Sequence, residues 1–140
     1  MTEDEINKNI ALLSESLTQE NAQSWQHITK LFELYASGNS QYKPLLDLVK
    51  ALANSTQSKL FRAGASVTLL MISTKEKNGL EKGDPYIYIG LRDEDLADIG
   101  YYTATANESE EFKCKNDEIL PVIQPFLDRL WNETRGKKTV

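Results

Sequence analysis

The spacing of apolar residues changes twice along the chain, and this limits the folds open to it. Up to about Asn54 apolar residues recur at helical spacing, from about Ser58 to Lys115 they alternate, and from Asp117 to Trp131 the helical spacing returns. Alternation marks a sheet with two unlike faces, and the helical stripes mark elements that must bury one side. The pattern predicts an α+β fold: three N-terminal helices, an antiparallel meander of three or four strands, and a C-terminal helix. A chain of 140 residues suits a single domain, with a helical part over 1–54, the sheet over 58–115 and the last helix over 117–135.

Thr2 and Glu5 have the spacing of a capping box, and Ile6, Ile10, Leu13 and Leu17 follow on one stripe. The polar run 18–24 interrupts that stripe, and Trp25, Ile28, Leu31, Phe32 and Tyr35 begin another. Two helices are expected, 3–18 and 21–37, with one long helix as the rival. Pro44 fits the first turn of a third helix, whose stripe is Leu45, Leu48, Val49 and Leu52.

Residues 59–74 read as one strand with a bend at Gly64. The charged stretch 75–85 contains the turn signals Asn78-Gly79 and Gly83-Asp84-Pro85. Tyr86 to Leu91 is the clearest strand: Ile87, Ile89 and Leu91 face one way, Tyr86 and Tyr88 the other. Further strands are expected over 99–104 and around Phe112, the latter a half-exposed edge with Lys113 and Lys115. Pro121 and Pro125 suggest that the regular part of the last helix begins at Pro121 or later.

The net charge of −5 disfavours nucleic acid, which needs clustered Lys and Arg. No stretch approaches the ~18 apolar residues of a spanning helix, and the opening residues lack the basic and apolar regions of a secretory signal. A cytoplasmic protein with no membrane partner is therefore expected. Cys114 is the only cysteine and His27 the only histidine, so no disulfide, thiolate zinc site or histidine cluster is expected. No phosphate loop or nucleophile elbow is present. No catalytic residue, metal ligand or cofactor is assigned.

Two surfaces remain. If Ile87 and Ile89 pack under the helices, Tyr86 and Tyr88 form the opposite face. Facing registers then add Leu70, Ile72 and either Tyr101 or Tyr102, with Tyr102 taken as the candidate. The rival arrangement lays the last helix over this face. Asp93, Glu94 and Asp95 form an acidic tip, and Glu108, Glu110 and Glu111 a second. If both lie at one end of the sheet, they make an acidic rim suited to a basic partner.

A protein-binding or regulatory role, toward a partner or toward itself as a homodimer, is the leading expectation. The chain resembles toxin-immunity proteins and dimeric secretion chaperones in size, charge and general build only, and no motif is shared with either. The alternative is a small-molecule or catalytic pocket between helices and sheet, lined by Trp25, Tyr35, Phe61 and Trp131 with Arg62 or His27 as its polar group.

Overall fold

A computed structural model describes residues 1–75, 84–93, 95–103 and 109–135. The turn signals at Asn78-Gly79 and Gly83, as well as Glu94 and Glu108, lie outside the described residues.

The fold is α+β. Helices α1 (Glu3–Ala11), α2 (Glu15–Gly38) and α3 (Lys43–Ala53) precede a sheet of five strands, and α4 (Ile119–Thr134) follows it. The strands are β1 (Arg62–Ser66), β2 (Leu69–Ser73), β3 (Tyr86–Leu91), β4 (Leu96–Tyr102) and β5 (Ser109–Lys115). They pair antiparallel in the order β1-β2-β3-β4-β5. The meander expected from sequence is present, with five strands instead of three or four.

The extra strand comes from the segment 59–74, which is a hairpin and not one strand. Its turn is Val67-Thr68, between the paired residues Ser66 and Leu69. Val67 has φ 55, a left-handed conformation that a β-branched residue adopts only under strain. The Tyr35 hydroxyl donates to the Val67 carbonyl at 3.0 Å and holds the turn against α2. Neither glycine nor asparagine marks this turn, so its usual sequence signal is missing.

The capping box at Thr2 and Glu5 is formed. The break between the first two helices falls earlier than expected, because Ser14 accepts from the Leu17 amide at 3.1 Å and starts α2 there. The polar run 18–24 therefore lies inside one continuous helix, and its polarity has a structural role. Asn21 donates to the Lys59 carbonyl at 2.9 Å, Ser24 accepts from the Ala63 amide at 2.9 Å, and the Trp25 indole donates to the Phe61 carbonyl at 2.9 Å. These side chains share one helix face and satisfy the backbone along β1 and its approach. α2 thereby covers the β1 edge at its start, where it packs on the strand.

Ile119, Ile123, Leu127 and Leu130 of α4 are buried, and α4 packs on β3, β4 and β5. It begins at Ile119, ahead of the Pro121 start expected from sequence, and runs through Pro125 as an interior residue. Pro125 is exposed, so only the backbone bond to Pro121 is lost, on the solvent side, while the buried stripe on the other side holds the helix.

The helix-covered face of the sheet carries Leu70, Ile72, Ile87, Ile89, Ala97, Ile99 and Tyr101, all at 0% exposure. Each large aliphatic among them contributes about 1.5–3 kcal/mol by burial. A one-residue slip would turn them outward, so burial fixes the register.

Replacing Trp25 by Phe removes the donor and leaves the Phe61 carbonyl buried without it. We expect a stability loss of about 1–3 kcal/mol with an unchanged denaturant slope, measured by urea unfolding. A loss under about 0.5 kcal/mol would contradict the role given to this bond.

Candidate functional site

The register decides which residues share the outer face. Tyr86 stands opposite Tyr102, Tyr88 opposite Gly100, and Met71 opposite Tyr88. Residues directly opposite one another lie on the same side of a sheet. The outer face thus carries Leu69 and Met71 from β2, Tyr86, Tyr88 and Gly90 from β3, and Asp98, Gly100 and Tyr102 from β4. β5 adds Glu111, Lys113 and Lys115.

Three of the expected residues come together here. The Tyr86 and Tyr102 rings stack with centroids 5.2 Å apart, and Tyr88 lies 6.1 Å from Tyr86. All three are half-buried, with no side chain fully enclosed.

Leu70 and Ile72 do not belong to this face, which corrects the expectation from sequence. Leu70 stands opposite Ile89 and Ile72 opposite Ile87, so both point under the helices. Alternation along β2 only groups Leu70 with Ile72; it does not say which group faces inward. Their alternates include Ser73 on the same strand, and that contrast was the available signal. Tyr101 also points inward, where its ring sits 4.3 Å from the Arg129 guanidinium and its hydroxyl donates to Glu133 at 2.7 Å. The last helix covers this inner face and leaves the tyrosine cluster uncovered by it.

Two glycines shape the outer face. A Cβ on Gly100 would lie 1.9 Å from Tyr88 Cζ, and one on Gly90 would lie 2.4 Å from Leu69 Cδ2. The Tyr88 ring therefore lies flat across β4, and its hydroxyl donates to Glu111 Oε1 on β5 at 3.0 Å. Burial raises the Tyr88 hydroxyl above the ordinary tyrosine pKa; a Ser109 hydrogen bond opposes this, and Glu111 adds to it. The hydroxyl stays protonated as a donor at neutral pH. Beside the ring, Leu69, Gly90, Asp98, Glu111 and Lys113 bound a groove of about 620 Å³. The glycines were legible in sequence only as interruptions of strands; the side chains they admit come from the neighbouring strand.

The acidic residues do not form one rim. Successive turns of a meander lie at opposite ends of its sheet, so the Asp93–Asp95 turn and the Glu110 end of β5 are separated by the length of the strands. Asp93 Oδ1 accepts from the amides of Asp95 at 2.9 Å and Leu96 at 3.0 Å, which closes the β3–β4 turn. Glu110 pairs with Arg129 on α4. Among the described residues no group of three or more His, Cys, Asp or Glu is gathered to hold a metal ion. The Cys114 thiol is pushed up by burial first and then by Glu118 and Asp117, so it is a poor nucleophile at neutral pH.

A second concavity, about 700 Å³, runs between α2 and the β1–β2 hairpin. Ile28, Leu31 and Met71 supply apolar walls, while His27 and Arg62 stand at its border. Trp25, Phe61 and Trp131, expected to line such a pocket, are instead buried in the core at 1%, 1% and 4% exposure. Tyr35 is held at the Val67 turn.

Gly100→Ala should cost about 1–3 kcal/mol, because the methyl group displaces the Tyr88 ring. In a Tyr88→Ala background the same change should be nearly neutral or mildly stabilising. Equal costs in the two backgrounds, measured by chemical unfolding, would contradict this packing.

Compared with protein-family models, with curated proteins and with solved structures, the chain matches none. No helix among the described residues is long and apolar enough to cross a membrane.

Proposed function

We propose that the protein is a non-enzymatic protein-binding module whose contact surface is the outer sheet face, centred on Tyr86, Tyr88 and Tyr102. One observation carries this reading: three tyrosine rings form a connected cluster on the face opposite the layer that α4 covers. Tyrosine combines a large apolar ring with a hydroxyl that can bond across an interface, and its side chain has few rotatable bonds to order. Leu69 extends the apolar area, and Asp98, Glu111 and Lys113 give it a polar border. This is the arrangement of an interface core with a charged rim. Holding another protein is also the task of the immunity proteins and secretion chaperones that share its size and acidity.

Tyr86→Lys with Tyr102→Lys puts charge into the cluster without touching the inner face. Immobilised wild-type protein is expected to retain a specific protein from native lysate that the variant does not retain, with melting temperatures within a few degrees. Identical retained sets for two folded proteins would contradict the assignment.

A second reading has its own support in the groove between α2 and the hairpin, where His27 and Arg62 flank apolar walls. It predicts a reproducible rise in melting temperature with a small anionic ligand from a metabolite set, abolished by Arg62→Ala. No rise with any ligand counts against it.

A further inference from the structure

We propose that the outer edge of β5, to which no other strand is paired among the described residues, pairs with β5 of a second copy of this chain, antiparallel and centred on Phe112. This goes beyond the binding role of the tyrosine face and uses a different surface. The sheet has two edges. α2 packs along β1 and takes the Ala63 amide of its outer edge through Ser24, while β5 is the last strand in the order and is exposed at every position except half-buried Cys114.

Backbone geometry restricts the registers open to this edge. The Asn116 amide donates to the Asp95 carbonyl at 2.9 Å, continuing the β4–β5 ladder one residue beyond the strand. Hydrogen-bonded positions alternate along an antiparallel ladder. Residues 110, 112 and 114 therefore turn their backbone groups toward β4. Ser109, Glu111, Lys113 and Lys115 turn theirs outward, where a second strand can bond them. Only registers that bring outward groups opposite outward groups can form a ladder, so the two-fold axis must set one residue opposite its own copy.

Charge then selects among these registers. Centring on Glu111 sets two Glu111 side chains opposite each other, and centring on Lys113 sets two Lys113 side chains opposite each other beside two Glu111–Lys115 pairs, so each of these registers carries a like-charge pair at its axis. Centring on Phe112 sets Glu111 of each copy opposite Lys113 of the other, twice by symmetry, and Ser109 opposite Lys115. Opposite charges directly across a ladder attract and like charges repel. In this register the two Phe112 rings meet at a non-hydrogen-bonded position, where side chains approach most closely. Phe112 is 45% exposed and already lies 5.0 Å from the Phe126 ring, so the pairing covers an apolar surface that is otherwise open. Lys113, a charge that would keep a foreign strand away from this edge, becomes complementary to Glu111 of the same sequence.

The axis of such a pair is perpendicular to the sheet, so both outer faces point the same way. The two tyrosine clusters would lie on one side of a continuous ten-stranded sheet.

Light scattering and sedimentation over a range of concentrations test this. The wild-type chain is expected to form a dimer. Glu111→Lys and Lys113→Glu should each weaken it by about tenfold or more, since each reverses two pairs at once. The double variant E111K with K113E restores opposite charges and should restore the dimer. Should the variants fold poorly, hydrogen exchange on the unaltered protein serves instead: the Glu111 and Lys113 amides should slow as concentration rises. A wild-type monomer at every concentration overturns the proposal. So does a double variant no tighter than the singles, or a dimer that is lost on Tyr86→Ala with Tyr102→Ala yet unaffected by Lys113→Glu.

Discussion

The covering of one sheet edge by α2 at the start of β1 is the constraint on which the remaining architecture depends. A strand edge presents unpaired amides and carbonyls, and an apolar helix cannot satisfy them. Here the helix carries its own polar stripe. Asn21, Ser24 and Trp25 reach carbonyl or amide groups from Lys59 to Ala63, and Trp25 does so while 1% exposed. With α2 fixed against β1, α3 packs on α2, and α4 packs over β3, β4 and β5. The inner face then receives Ile87, Ile89, Ile99 and Tyr101, and the outer face keeps the residues that alternate with them.

The two faces differ in the kind of order they impose. The inner face is largely aliphatic and closed over β2, β3 and β4, and burial sets its register. The outer face is organised by side chains lying across neighbouring strands: Tyr88 over Gly100, Leu69 over Gly90, and the Tyr88 hydroxyl on Glu111. These contacts lay the rings along the sheet instead of standing them away from it. A flat aromatic surface with a charged border at β5 follows. Such a surface suits a partner with a complementary apolar patch, and its rings are already held in place, so little ordering remains to oppose binding.

Much of this was legible in the sequence. The period change gave the fold class, and the alternation in β3 separated Tyr86 and Tyr88 from Ile87 and Ile89. The capping box at Thr2 and the edge character of the Phe112 strand were also readable. The failures have specific physical causes. Val67 occupies a turn position usually marked by glycine or asparagine, so a hairpin looked like a single strand. The break between the first two helices was placed within the polar run of α2 because the partners of that run lie about 38 residues away, as in Asn21 to Lys59. Leu70 and Ile72 were placed on the wrong face because alternation within a strand does not determine its register against the next one. The acidic rim required Asp93–Asp95 and Glu110 to share one end of the sheet, and a meander sends them to opposite ends.

The central claim is that the outer tyrosine face is open in the free chain while the inner face is closed. Hydroxyl-radical footprinting with mass spectrometry measures this directly, residue by residue, in dilute protein without a partner. Tyr86, Tyr102 and Leu69 are predicted to be labelled, and Tyr101, Ile87 and Ile89 to be protected. Protection of Tyr86 and Tyr102 equal to that of Tyr101 would contradict the account, because it would mean that the outer face is already covered.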